Sequence, residues 1–357
     1  SAWLKPLRPG AARPGAARPC ADVYRTLPPP AMRLCAVALA LAGALPTRAL
    51  RAQNGTLGGG PEQGQREASE ASWFKKIYFL HLAKTAGGSA LLDLPRHLSM
   101  TTQLNSYECC WPRFSGLDAW EPPAVITFMR EPKAHVYSQW NHCRKNLDHW
   151  FNPRGLPANF SQWLRYWSKV GDHPTAHERG FHCYIPINLQ ARALSCRATV
   201  CPLVTHAVDE AVLHDRSGEL AVHEDLATRR LQSVVRFVGL TEFYQESMCL
   251  LHAMSKNSFP SYCNCEDHEA WGKFPHASLD HGGGTKTTHT LSKADAELVE
   301  NLTRVDARLY QVAMGRFMEA VHEVEGRFGK KVFCRDRARD SLGSDTVQLF
   351  EWDRAGP

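Results

Sequence analysis

Three short apolar runs punctuate the chain: Ile77 to Leu80, Val125 to Met129, and Val235 to Leu240. Each is too short for a helix and lacks the strict polar alternation of a half-exposed strand, so each reads as a strand buried on both faces. Turn and helix-start signals follow them. Gly87 and Gly88 lie just after the first run, and Pro132, suited to the first position of a helix, lies just after the second. Helical periods occupy the intervals. Phe160, Trp163, Leu164 and Trp167 recur at the spacing of one helix face, which marks core packing rather than sugar stacking. Met248, Leu251 and Met254 follow the third run, and Leu298, Leu302, Val305, Leu309 and Val312 predict one long amphipathic helix. Pro95 is expected to shorten or kink the first helix, and Cys109 to Pro123 reads as loop. Strands alternating with helices predict an α/β fold: a P-loop-like parallel sheet covered by helices on both faces, with ligands beyond the strands' carboxyl ends.

Composition adds the frame around this domain. The 357 residues are 43% hydrophobic and 22% charged, ordinary for a globular protein. The net charge of +6 is misleading, because residues 1–52 hold eight basic residues against Asp22 and leave the remainder at −1. Bulk charge therefore gives no support to a nucleic-acid partner. Residues 1–31, rich in Ala, Pro and Arg, read as a disordered leader or upstream read-through. Residues 32–52 have the layout of a secretory signal peptide, with Met32-Arg33 before the uncharged run Leu34 to Leu45. Such a run rises only about 18 Å as a helix against a hydrocarbon core of about 30 Å, which favours cleavage. A signal anchor, which would tie the protein to a membrane, and a two-part organelle-targeting sequence are the competing readings. Residues 53–73 read as a flexible linker, 74–335 as the folded domain and 336–357 as a C-terminal tail. Asn54, Asn159 and Asn301 head Asn-x-Ser/Thr triplets, and ten of twelve cysteines lie beyond the leader, which suits an oxidising lumen with one or more disulfides. Asn159 also suits a helix cap. Cys263 and Cys265 with His268 and His276 match no zinc spacing.

The densest chemistry sits in Lys76-Ile-Tyr-Phe-Leu-His-Leu-Ala-Lys-Thr-Ala-Gly-Gly-Ser89. A strand, a tight turn and a helix start make an anion site: the first helical turn offers unpaired N–H groups and partial positive charge, and glycines let a phosphate approach. Lys84, Thr85 and Ser89 add a cation and two hydroxyls. The Lys precedes the glycines, so this is not a Walker A loop, and an ordinary strand-turn-helix crossover explains it equally well taken alone. A second segment, Ala124 to Trp140, ends a strand in Arg130 and carries Ser138 on the helix that follows.

Together these segments resemble the two phosphate-binding motifs of the carbohydrate sulfotransferases, most nearly the heparan sulfate 6-O-sulfotransferases. The resemblance spans roughly Lys75 to Val324 in a few islands, including Asn188-Leu-Gln-Ala-Arg192 and Gly239-Leu-Thr-Glu-Phe243. It implies a single sulfotransferase domain that uses 3′-phosphoadenosine 5′-phosphosulfate (PAPS) as co-substrate, without a metal, on a carbohydrate or other hydroxyl-bearing acceptor in the Golgi lumen or outside the cell. By the same resemblance His81 is the general base and Lys84 stabilises the leaving phosphate. Lys84, Thr85, Ala86, Gly87, Gly88 and Ser89 hold the 5′-phosphate, Arg130 and Ser138 the 3′-phosphate, and Lys286 and Thr287 close over the nucleotide. His135 and His142 are rival bases, read as surface or acceptor-groove residues. Ala83, Ala86, Gly88 and His135 depart from the family pattern and leave the acceptor open. A serine hydrolase lacks its nucleophile elbow despite His281-Gly-Gly-Gly284. The alternatives are a P-loop kinase-like phosphotransferase, which leaves Arg130 and Ser138 unexplained, and a secreted non-catalytic nucleotide- or glycan-binding module on the same fold.

Overall fold

The computed structural model describes residues 73–108, 111, 123–145, 157–170, 184–196, 222–277 and 291–334, all within one compact unit, Gly59–Pro357. The expectations for residues 1–72, for Lys286 and Thr287, and for the tail at 336–357 lie outside the described residues. Four strands form one parallel sheet: β1 (Lys76–His81), β2 (Gln103–Glu108), β3 (Ala124–Met129) and β4 (Val235–Leu240), in the order β2-β1-β3-β4. All six residues of β3 are buried. Since successive strand residues face opposite ways, helices and loops must cover both sides of the sheet there. This is the α/β architecture expected from the apolar runs.

The helices are α1 (Gly87–His97), α2 (Pro132–Lys145), α3 (Phe160–Val170), α4 (Leu189–Ser195), α5 (Glu224–Arg229), α6 (Tyr244–Lys256), α7 (His268–Trp271), α8 (Lys293–Leu302) and α9 (Arg304–Phe328). Pro132 begins α2 as its geometry favours, and α1 stops soon after its internal Pro95. The aromatic stripe of α3 is core: Trp163, Leu164 and Trp167 are fully buried, and Trp163 packs against Trp140 of α2. Truncating either Trp to Ala is worth roughly 3–5 kcal/mol. Asn159 caps α3, its Oδ1 accepting from the Gln162 N–H at 2.9 Å.

β2 is a polar strand that no sequence expectation covered, and one expectation needs correction. The apolar stripe from Leu298 to Val312 belongs to two helices, because the backbone breaks at Thr303. The break is enforced from a distance: Asn188 Oδ1 accepts the N–H groups of Val305 and Asp306, while Asp306 accepts those of Gln190 and Ala191. The two helix starts thus cap each other. Cys263 and Cys265 pair with Cys249 and Cys334, so neither thiolate is available to a metal. Cys143 and Cys196 are also disulfide-bonded. Among the described residues no helix is long and apolar enough to cross a membrane.

Candidate functional site

The strand order fixes where a ligand belongs. From β1 the chain crosses to β2 on one side, then returns to β3 on the other, so the crevice beyond the carboxyl ends of β1 and β3 is the switch point of the sheet. His81 ends β1, the 82–86 turn follows it, and Arg130 directly follows β3.

The turn is unusual backbone. Lys84 and Ala86 both have φ near +60° (64° and 63°), the left-handed region that disfavours a Cβ. Three ties hold it. Thr85 donates both its hydroxyl (2.8 Å) and its N–H (3.3 Å) to Leu82 O, His135 Nε2 meets Ala83 O at 2.7 Å, and Arg130 Nη1 donates to Lys84 O at 3.2 Å. Ala86 accepts from the Ala90 N–H and starts α1, but as N-cap it offers no side-chain acceptor. The leading N–H groups of α1, on Gly87, Gly88 and Ser89, therefore have no capping side chain and face the switch point as a donor set for an anion.

His81 lies against this helix start. A Cβ on Gly87 would stand 1.7 Å from His81 Cδ2 and 1.9 Å from Nε2, so the ring occupies space that only glycine leaves open. Its Nδ1 lies 3.5 Å from Glu108 Oε2, the residue opposite it in the β1–β2 register. Burial lowers the His81 pKa, Glu108 opposes that shift, and Lys84 adds to it. The ring is consequently held neutral at neutral pH, as a base requires.

Lys84 Nζ donates to His142 Nδ1 at 3.1 Å. Burial, then the Arg130 charge, push its pKa down to about 8, with Glu108 opposing. The ammonium is thus poorly solvated and close to a second cation, an arrangement that an arriving anion relieves. Arg130 is anchored through its backbone: Gln190 accepts from its N–H and donates to its carbonyl, both at 2.9 Å. Its Nε is buried without a hydrogen-bond partner, one unsatisfied donor. Behind it, Glu131 caps α2 through the Ala134 N–H, and Glu242 accepts from Glu131 N–H and Tyr310 O–H. Burial raises the pKa of both carboxyls and Arg130 pulls each back.

His81, Lys84 and Arg130 are therefore brought together around the start of α1, with His142 joined to them through Lys84. Ser138 lies half-buried farther along α2. Thr85 is turned inward in this conformation, with both donors spent on Leu82 O, which makes it a tie inside the turn rather than a free hydroxyl. His135 is fully buried, not at the surface or in a groove. Ala83 O can only accept, so Nε2 carries the proton and Nδ1 accepts from Gln139 (3.2 Å), while burial pushes the pKa to about 3. It is a strut beneath the turn. Glu108 and Gln190 were not singled out by motif. Only the strand pairing and the clamp on Arg130 reveal them. No family model matches the chain, and no curated protein matches it either.

Proposed function

We propose that the chain is a lumenal or secreted sulfotransferase that moves a sulfuryl group from PAPS to a hydroxyl of a carbohydrate acceptor. The observation that carries this reading is the convergence of a neutral imidazole, a partly desolvated ammonium and a buried guanidinium with an unpartnered Nε at an uncapped helix start on the switch point of a parallel sheet. A P-loop-like mode of binding follows: Gly87, Gly88 and Ser89 present N–H groups to the 5′-phosphate beside Lys84, and Arg130, with Ser138 on the same segment, serves the 3′-phosphate. The orphaned Nε of Arg130 and the absence of a side-chain cap on α1 fit such a double anion. When bound, PAPS supplies an activated sulfuryl group and a phosphate leaving group.

The residues divide the remaining work. His81 takes the acceptor proton, and its lowered pKa keeps it free to do so near pH 7. Lys84 and the N–H groups of α1 stabilise the charge that develops on the departing phosphate oxygen, in a site where they need little reorganisation. Disulfides Cys249–Cys263 and Cys265–Cys334 support folding in an oxidising compartment.

The test is calorimetric titration of the chain with 3′-phosphoadenosine 5′-phosphate, beside ATP and the Lys84→Ala/Arg130→Ala variant. Micromolar or tighter binding that the variant loses, with ATP weak, supports the reading and justifies screening glycans with labelled PAPS. No binding by well-folded protein overturns it; preference for ATP redirects it to phosphotransfer, and binding without transfer to any glycan redirects it to a non-catalytic module.

A further inference from the structure

We propose that Glu108 is a positioning residue for His81, holding the proton on Nδ1 so that Nε2 presents a lone pair to the acceptor hydroxyl. That role presupposes the transfer chemistry proposed above and extends it to a residue outside both phosphate motifs. Three observations bear on it. β1 and β2 pair in register with His81 opposite Glu108, so the two side chains leave the sheet as immediate neighbours at the same carboxyl edge. Within that pair the Glu108 carboxylate lies on the Nδ1 side of the ring, 3.5 Å away, while Cδ2 and Nε2 lie against Gly87 at the start of α1. The ring is thus sided: one nitrogen toward an acid, the other toward the donor set of the crevice. Finally, the second Glu108 oxygen is approached by the Tyr184 hydroxyl at 3.4 Å, and burial and the carboxylate keep that phenol protonated, so Tyr184 donates and Glu108 stays an acceptor.

A carboxylate accepts only, so its approach to Nδ1 selects the tautomer with hydrogen on that nitrogen. Tight hydrogen bonding awaits the loaded site, since such contacts are commonly long before substrate arrives. In the transfer step the acceptor proton goes to Nε2, and a bond forms from the acceptor oxygen to sulfur. The bond from sulfur to the phosphate oxygen breaks, and its electron pair leaves on that oxygen beside Lys84. The imidazolium so formed is stabilised by Glu108 against the two cations nearby, Lys84 and, beyond it, Arg130. Tyr184 faces Glu108 as a protonated phenol, and His142 lies against Lys84.

The experiment is nitrogen-detected NMR of the ¹⁵N-histidine-labelled chain, native and with Glu108→Gln and Glu108→Asp, together with titration by 3′-phosphoadenosine 5′-phosphate. The native protein is expected to show His81 with hydrogen on Nδ1. Glu108→Gln lowers the His81 pKa by about one unit and mixes the tautomers, and Glu108→Asp recovers part of both. The bisphosphate Kd stays within about twofold throughout, which also certifies that the variants fold, and kcat for a screened acceptor falls by about 10- to 100-fold in Glu108→Gln with little change in KM. Normal bisphosphate binding with an unmoved pKa and tautomer in Glu108→Gln overturns the role of Glu108 alone. Failure of the native chain to bind the bisphosphate overturns the transfer reading and this role with it.

Discussion

Gly87→Ala is the sharpest single test of the site, because the added methyl lands directly on one catalytic candidate. The new Cβ would stand 1.7, 1.9 and 2.5 Å from Cδ2, Nε2 and Cγ of His81, far inside the 3.4 Å at which ordinary contact begins. No adjustment of a few tenths of an ångström removes that overlap, so the imidazole must leave its rotamer, at a cost of roughly 1 kcal/mol plus its stacking on Phe79. Alanine is a better helix former than glycine by up to about 1 kcal/mol, which offsets part of this. Net stability should therefore shift by no more than about 1 kcal/mol. The N–H groups of Gly88 and Ser89, Lys84 and Arg130 are untouched, so the bisphosphate should bind within about threefold of native. Turnover should fall by about 10²- to 10⁴-fold, the usual worth of a general base. Calorimetry gives the first quantity and single-turnover transfer from labelled PAPS the second. Turnover kept above a tenth of native would refute the assignment of His81 as base, and equal losses in binding and turnover would show that the contact serves the anion instead.

Lys84 titrates from about 8 in the free protein and must be protonated to hold an anion, so bisphosphate affinity should fall as pH rises past 8, by up to about tenfold per unit. Proton uptake, measured by calorimetry in buffers of different ionisation enthalpy, should grow as pH passes 8 and disappear in Lys84→Met; pH-independent affinity in the native chain would contradict the assignment. His135 is held neutral, its pKa lowered from 6.5 to about 3 by burial, so its contribution to stability is intact above 6.5 and lost as pH falls through that window. The stability deficit of His135→Gln relative to native, from urea unfolding, should narrow by about 2 kcal/mol between pH 7 and pH 5, whereas a constant deficit would mean the ring is free to protonate. Breaking Cys265–Cys334, with a sequence separation of 69, should cost about 4 kcal/mol by loop-closure entropy, against about 3 for Cys249–Cys263, with a separation of 14. Calorimetric Tm of the paired Cys→Ala variants tests that order, and the reverse order would show that native contacts rather than closure dominate.

How much was legible in the chain depends on which residues carry a local signal. Strands β1, β3 and β4 announce themselves because burial on both faces demands continuous apolar runs. β2 does not, since it lies at the edge of the sheet with Gln103, Asn105, Ser106 and Glu108 exposed, and only its pairing with β1 makes it a strand. Glu108 went unseen with it. The break at Thr303 is equally silent, because the apolar stripe runs on across it and the capping group, Asn188, comes from a different part of the chain. His81 and Arg130 were legible at strand ends and Lys84 in the turn between strand and helix, but His135 was read as a surface or acceptor-groove residue because nothing in its neighbours along the sequence says that it reaches Ala83 O.

The 82–86 turn shows why the departures from glycine are tolerated. Two non-glycine residues in the left-handed region cost roughly 1–2 kcal/mol each. Against this stand the bonds of Thr85, His135 and Arg130 to three successive carbonyls, Leu82, Ala83 and Lys84, each worth about 1 kcal/mol, two of them shielded from water. Arg130 transmits a longer chain of constraint, because its backbone is clamped by Gln190, the start of α4 is fixed by Asp306, and α9 is capped by Asn188. Such a turn has little freedom to close onto a ligand or to relax away from one. By holding the start of α1 in place, the turn fixes the uncapped N–H groups of Gly87, Gly88 and Ser89 in advance, and preorganised donors need little rearrangement when charge arrives.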